Sequence, residues 1–141
     1  MKRIKLSPIN QFRGEKFQLP VRDARGRVQT TLEEKLNSKG EIAAIREIPV
    51  IKDTDSFLEI IGDFLNYGFP QDYKWTFKDA EMIRAIKNRL DKASEQPELE
   101  IADDELTWLR DIIKEDKVGV SFFRATVGIV YDYLHQNIVK E

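Results

Sequence analysis

The sequence contains no cysteine and only one histidine in 141 residues. Without cysteine, the chain cannot form disulfide bonds, thiolate zinc sites, iron–sulfur clusters or cysteine nucleophiles. The single histidine, His135, would need nearby partners to act as a general base or a metal ligand. The acids nearest to it in sequence are Asp132 and Glu141. We interpret His135 as a solvated helix residue and predict no catalytic residue.

The glycine-rich and acidic motifs of nucleotide-binding and metal-binding sites are also missing. The seven glycines are scattered singly, so there is no dinucleotide fingerprint, Walker loop or nucleophile elbow. The acidic run at 103–105 imitates a cation site, but capping of a helix is a sufficient explanation for it. We expect no metal, no cofactor and no enzymatic activity, with an enzyme of unfamiliar site as the remote alternative.

No long apolar run is present. The basic N-terminus is not followed by the apolar stretch of a signal peptide, and no segment approaches the ~18 apolar residues of a membrane span. We therefore expect a cytoplasmic protein that does not contact membranes. Its length fits one domain, residues 1–141.

Charge is distributed unevenly along the chain. Residues 1–29 carry eight basic and two acidic side chains, a net charge of +6, whereas the other 112 residues carry 15 basic and 23 acidic ones, a net charge of −8. Such asymmetry predicts two surfaces with different electrostatic preferences.

Apolar residues alternate with polar ones in residues 1–29, which predicts short strands and a basic β-hairpin region. Gly14 and Gly26 would supply the positive φ that its turns need. Thr30 and Thr31 are each followed three residues later by glutamate, the spacing of a capping box, so we predict a short helix from about residue 31. The segment 41–51 suits either a helix or an extended strand, although no helix can pass through Pro49.

The remainder, 30–141, is predicted to be mainly helical. Helical spacing of apolar residues favours helices capped by Thr54 or Asp55, by Thr76, by Asp103 and by Ser121, with Leu99–Ile101 as a short extended piece. The predicted fold is α+β, with a small N-terminal β-hairpin or sheet beside a bundle of three to five helices. The apolar side chains predicted to be buried in this bundle include Phe57, Ile60, Ile61, Phe64, Leu65, Phe77, Ala80, Ile83, Ile86, Leu90, Leu106, Leu109, Ile112, Ile113, Val130 and Leu134.

Two features are candidates for partner binding. The first is the basic leading segment, which would contact an acidic protein surface, or would simply balance the acidic body of the same chain. Direct nucleic-acid binding is not expected, because the acidic remainder would repel phosphates. The second is the aromatic segment 67–75, which would form an exposed docking site or fold back onto the core. The candidate partner-binding residues are Arg13, Arg22, Arg25, Arg27, Tyr73 and Trp75.

The order of these elements resembles that of short proteins encoded by tailed bacteriophages. The residues that carry the resemblance are Ile4-x-Leu6, Phe12-x-Gly14-x-x-Phe17, Asp23-x-x-Gly26-x-x-x-Thr30-x-Leu32, Ala80-x-x-Ile83-x-x-Ile86-x-x-x-Leu90, Leu99-x-Ile101-x-x-x-x-Leu106 and Val127-Gly128-x-Val130. In length and composition the chain is also similar to RNA polymerase-binding transcription inhibitors of Thermus phages.

That resemblance implies a monomeric, non-enzymatic protein of the host cytoplasm. Its partner would be the host RNA polymerase holoenzyme, at the β subunit or the sigma factor region. The alternative implied by the phage resemblance is a structural or assembly accessory protein of the head or tail.

Overall fold

The computed structural model describes residues 1–10, 14–69, 72–114 and 127–140. Within these ranges the chain forms six strands and four helices, which confirms the α+β class and a helix number between three and five. In chain order the elements are β1 (Lys2–Lys5), β2 (Phe17–Pro20), β3 (Thr30–Leu36), β4 (Ile42–Pro49), β5 (Ile51–Thr54), α1 (Phe57–Tyr67), α2 (Phe77–Lys92), β6 (Glu98–Ile101), α3 (Asp103–Lys114) and α4 (Val127–Gln136).

The chain forms two compact units. Unit 1 consists of residues Met1–Phe17 and Thr54–Glu141, and unit 2 of residues Gln18–Asp53. All four helices belong to unit 1, while β3 and β4 belong to unit 2.

Unit 1 is organised around β1. This strand pairs antiparallel with β6, with Ile4 opposite Leu99, and on its other side it forms a bridge with Ile138 near the C-terminus. Helix α2 packs against α1, α3 and β6, and α3 packs against α4. The fully buried side chains of this unit include Ile4, Phe17, Ile60, Ile61, Phe64, Ile86, Leu99, Ile101, Leu109, Val130 and Leu134.

The helix starts in unit 1 follow from capping. Thr76 caps α2, as predicted, and forms a capping box with Asp79. Helix α1 is capped by Ser56 and by neither predicted residue, Thr54 or Asp55, because the Ser56 hydroxyl accepts from the Glu59 amide. The predicted cap at Ser121 lies outside the described residues.

The buried stripe of α2 differs from the predicted one. Ile86 and Leu90 are buried as predicted and Ile83 is half-buried. Ala80 is exposed, and Phe77 is 80% exposed. The stripe is completed by Asp79, which is buried at the start of the helix. Because Phe77 lies about 200° around the helix from Asp79, it points to the opposite side.

In unit 2 the short helix predicted from residue 31 is wrong. Residues Thr30–Leu36 form β3, which pairs antiparallel with β4, so the ambiguous segment 41–51 is extended. A threonine three residues before a glutamate fits a strand as well as a helix cap, since threonine is β-branched and favours strands. Long-range pairing decides between the two, with Glu33 opposite Arg46 and joined to it at 3.0 Å.

The predicted strands in residues 1–29 are present, but their partners are distant in sequence. β1 pairs with β6 and β2 pairs with β5. The local hairpin of this segment is short and is closed by a bridge between Arg22 and Val28.

Two turns of unit 2 share one construction. In Asp23-Ala-Arg-Gly-Arg27 and in Asn37-Ser-Lys-Gly-Glu41, the first side chain accepts from the backbone amides two and four residues later. The fourth residue is a glycine with positive φ, 80° at Gly26 and 78° at Gly40. Both are therefore type I-like turns closed by a left-handed glycine, which connect antiparallel strands.

Backbone hydrogen bonds join three extended segments of unit 2. The Val21 amide donates to the Val50 carbonyl, the Val50 amide to the Gln29 carbonyl, and the Gln29 amide to the Val21 carbonyl, each at 2.8 Å. This closed ring of backbone hydrogen bonds joins the short hairpin 21–29 to the β3–β4 ribbon (residues 30–49).

Candidate functional site

Three of the predicted arginines lie together on the turn at 22–27 of unit 2. The Arg22 guanidinium donates to the Gly26 carbonyl oxygen at 3.2 Å, so this side chain supports the turn. Arg25 and Arg27 are exposed, and their backbone amides are held by the Asp23 carboxylate. The turn thus presents two positive charges on a fixed backbone. Arg13 lies outside the described residues.

The other two predicted residues, Tyr73 and Trp75, belong to an aromatic cluster in unit 1. The ring of Phe69 lies 5.0 Å from that of Tyr73 and 4.7 Å from that of Trp75, and the Tyr73 and Trp75 rings are 5.0 Å apart. Phe69 also contacts Phe64, a core residue of α1, at 5.6 Å between ring centroids. One end of the cluster is therefore anchored in the core.

A single carboxylate holds this cluster to the helices. Asp79 accepts from the Tyr73 hydroxyl at 3.1 Å and from the indole N–H of Trp108, on α3, at 3.0 Å. It also accepts from the Thr76 amide at 3.3 Å. Asp79 thus links the aromatic cluster, the start of α2 and α3.

These hydrogen bonds also set the acidity of Asp79. Burial by itself raises the pKa of a carboxyl group, but the bonds from Trp108, Thr76 and Tyr73 stabilise the charged form and together lower the pKa of Asp79 below its ordinary value. Asp79 is therefore an ionised structural acceptor rather than a proton donor at neutral pH.

The outer side of the cluster is exposed. Trp75 is 53% exposed and Phe77 80%, while Tyr73 is half-buried. Two exposed lysines, Lys74 and Lys78, alternate with these aromatics in sequence. The sequence left open whether the aromatic segment 67–75 packs on the core or is exposed. In the structure Phe69 contacts the core, whereas Trp75 of the same segment is exposed. We call Trp75 and Phe77, with the two lysines, the aromatic surface.

Cavities in unit 1 have mixed linings. One of about 370 Å³ is lined by Arg89 and Lys92 together with Glu98 and Glu100. Another of about 440 Å³ lies between α1 and α2. Across the ranges that the structure describes, no group of three or more histidine, aspartate or glutamate side chains could hold a metal ion.

The acidic run at 103–105 lies in the first turn of helix α3, where negative charge stabilises the start of a helix. Glu105 is buried, accepts from the Ala102 amide at 3.1 Å and pairs with Arg89 on α2 at 3.2 Å. His135 is exposed, and its Nδ1 lies 3.0 Å from the Tyr131 carbonyl oxygen, one helical turn earlier. Both features therefore have structural explanations.

Sequence reasoning missed two sets of exposed apolar residues. One is Phe77, which helical spacing assigned to the core. The other lies on the β3–β4 ribbon and comprises Leu32, Leu36, Ile42 and Ile45. The repeated turn pattern, Asp23-x-Arg-Gly and Asn37-x-Lys-Gly, is the signal that could have identified the ribbon.

None of the described helices is long and apolar enough to cross a membrane. Comparison of the chain with protein-family models, with curated proteins and with solved structures gave no match.

Proposed function

We propose that this protein is a phage-encoded, non-enzymatic binding protein that docks on bacterial RNA polymerase and inhibits or redirects host transcription. The partner follows from the resemblance to phage transcription inhibitors, and the docking region would be the β subunit or the sigma factor region. Its site of action would be the host cytoplasm.

The observation that carries the proposal of binding is the exposure of Trp75 and Phe77. Large aromatics dominate the energetics of protein interfaces, because they bury much apolar area with few rotatable bonds. Trp75 is packed against Phe69 and Tyr73, and Tyr73 is held by Asp79. Little side-chain entropy would be lost on binding, since the tryptophan is already positioned.

The arginine turn would contribute in a different way. Exposed charges at the rim of an interface mainly accelerate association with an oppositely charged partner. Arg25 and Arg27 would therefore steer the protein towards acidic residues of the polymerase, while the aromatic surface supplies the desolvated contact.

The test is binding of the purified protein to immobilised RNA polymerase core enzyme and holoenzyme. We expect Trp75→Ala and Phe77→Ala each to weaken the Kd by at least about tenfold. Arg84→Ala, an exposed change on the same helix, is the matched control and should leave the Kd unchanged. Arg25→Ala with Arg27→Ala should slow association at low salt.

Two results would contradict this proposal. One is the absence of binding to either form of the polymerase at micromolar concentrations. The other is binding that the two aromatic substitutions leave unchanged, which would show that the contact lies elsewhere.

The second candidate function is a head or tail accessory protein. It is favoured by the β3–β4 ribbon, whose strands pair only with each other among the described elements, because open strand edges can add further strands. Light scattering separates the two proposals. A stable ring or filament would support assembly, whereas a monomer would support the polymerase-binding function.

A further inference from the structure

We infer that the β3–β4 ribbon carries a second binding surface, separate from the aromatic surface. One face of the ribbon would dock on a protein surface on which lysine or arginine side chains are interspersed with apolar ones. The inference does not depend on RNA polymerase being the partner.

The strand register places four aliphatic side chains on the same face. Leu32 is opposite Glu47, Ile45 is opposite Glu34, and Leu36 is opposite Ile42. Directly opposed residues, and alternate residues along a strand, share a face. A register irregularity between Lys35 and Leu36 brings Ile42 rather than Ala43 opposite Leu36. We call this set the ribbon face; its members are Leu32, Glu34, Leu36, Ile42, Ile45 and Glu47.

The aliphatic side chains of the ribbon face are uncovered. Leu32 is 66% exposed, Leu36 61%, Ile42 55% and Ile45 58%. The opposite face is more polar: Glu33 and Arg46 pair at 3.0 Å between exposed Thr31 and Lys35. Its apolar members are the half-buried Ile48, opposite Thr31, and Ala44, opposite Lys35. Contiguous apolar exposure on one face only is typical of an interaction surface.

The charge of the ribbon face indicates which kind of partner can bind to it. The charged side chains on the ribbon face are Glu34 and Glu47, and both are exposed. A second copy docked face to face would bring these carboxylates close to their equivalents, and nucleic acid or an anionic membrane would also be repelled. A protein surface on which basic side chains are interspersed with apolar ones satisfies both the aliphatic and the acidic groups.

The face also has a reason to be covered. A two-stranded ribbon without a packed face is marginally stable in water, because its apolar side chains remain solvated. Docking would bury these side chains and so stabilise the ribbon that presents them.

The experiment uses the full-length protein and two synthetic amphipathic peptides of equal leucine content, one with lysine and the other with glutamate as its polar residue. Binding is followed by fluorescence anisotropy of the labelled peptide. We expect the lysine peptide to bind at least about tenfold more tightly than the glutamate peptide.

Three variants locate the contact. Leu32→Thr with Ile45→Thr removes apolar area and places strand-favouring, β-branched threonine at both positions, and should weaken binding of the lysine peptide by at least about tenfold. Glu34→Gln with Glu47→Gln keeps the apolar face and should reduce both the affinity and its salt dependence. Thr31→Ala with Lys35→Ala, on the opposite face, is the matched control and should leave binding unchanged.

The inference is overturned by equal binding of the two peptides, by no binding of the lysine peptide, or by undiminished binding in the Leu32 and Ile45 variant. Self-association that this variant abolishes would show instead that a second copy occupies the face. Trp75→Ala should not alter peptide binding, so failure here and failure of polymerase binding are distinguishable.

Discussion

At the scale of single residues, Asp79 has the largest set of interactions around the aromatic surface. Its two carboxylate oxygens accept from Tyr73, Trp108 and the Thr76 amide. We expect Asp79→Asn to lower the free energy of unfolding by about 1–3 kcal/mol at pH 7, because an amide cannot accept all three donors. Chemical denaturation measures the loss.

The same substitution has a defined pH dependence. The pKa of Asp79 is lowered in the folded protein, so its stabilising contribution is complete above the ordinary aspartate pKa and is lost as the pH falls through the lower, folded value. The stability difference between the native protein and Asp79→Asn should therefore narrow below about pH 4. Asp91→Asn, an exposed change on the same helix, should show neither effect. A difference that is constant from pH 7 to pH 3 would contradict the role assigned to Asp79.

Tyr133 joins α4 to the N-terminal strand region. Its hydroxyl donates to the Ser7 carbonyl at 2.6 Å and approaches the Lys5 carbonyl at 3.1 Å, and its ring stacks on Phe57 at 4.4 Å. Burial raises the pKa of this hydroxyl, although its hydrogen bonds with Ser7 oppose the change.

We expect Tyr133→Phe to destabilise the protein by about 1–3 kcal/mol, because the carbonyl of the half-buried Ser7 loses its donor while the ring stacking is kept. The control is Tyr131→Phe, a less buried tyrosine on the same helix, which should change the melting temperature little. Equal effects of the two substitutions, measured by thermal unfolding, would argue against the hydrogen bond.

At the scale of elements, the end of α1 depends on the absence of a side chain at Gly68. The Gly68 amide donates to the Phe64 carbonyl at 2.8 Å, and a Cβ atom here would lie 2.5 Å from that oxygen and 2.7 Å from the Phe64 ring. Because Phe64 is a buried core residue, it cannot move away without disturbing its neighbours.

Gly68→Ala should therefore cost about 1–3 kcal/mol of stability. The matched substitution in the same helix is Gly62→Ala, where a Cβ atom meets nothing within 4 Å. It should stabilise the protein by about 0.5–1 kcal/mol, because alanine favours the helical backbone more than glycine does. Urea denaturation of both variants tests whether their changes in stability have opposite signs. A Gly68→Ala variant that is more stable than the native protein would refute the close contact between position 68 and Phe64.

At the scale of the whole molecule, the two units should differ in local stability. Unit 1 has the buried core, with Ile4, Ile86, Leu99 and Leu134 almost completely excluded from solvent. Nearly every side chain of β3 and β4 is exposed. Few buried contacts mean that a segment can open without global unfolding.

We therefore expect hydrogen–deuterium exchange of the hydrogen-bonded amides in the β3–β4 ribbon to be faster than in the β1–β6 pair. Mass spectrometry of peptic fragments compares the two directly. Slow exchange of the ribbon in the isolated protein, equal to that of β1–β6, would show that the ribbon is more stable than its exposure implies.

At the same scale, the structure shows which unit contains each part of the basic segment 1–29. The basic residues 1–29 are divided between the two units, since β1 lies in unit 1 and the arginine turn in unit 2. The acidic ribbon face belongs to unit 2 as well. The basic stretch, contiguous in sequence, is therefore divided between the two units.

The sequence by itself determined the α+β class, the helix cap at Thr76, the buried stripe of α3 and the strand at Leu99–Ile101. These features depend on interactions between residues close together in the chain, where helical and strand periodicities are readable. It also indicated the turn at Gly26, because few residues other than glycine adopt positive φ.

Only the tertiary structure decided the state of residues 30–36, the exposure of Phe77 and the partners of β1 and β2. The pattern Thr30…Glu33 suits a helix cap and a strand alike, and the difference comes from β4, more than ten residues away. The side of α2 that carries Asp79 faces α3, because Trp108 of α3 donates a hydrogen bond to Asp79. Phe77 lies on the opposite side of α2 and is therefore exposed. In each case, interactions with residues distant in sequence stabilise one of the possible local conformations. The local sequence pattern does not contain these residues and so could not predict the outcome.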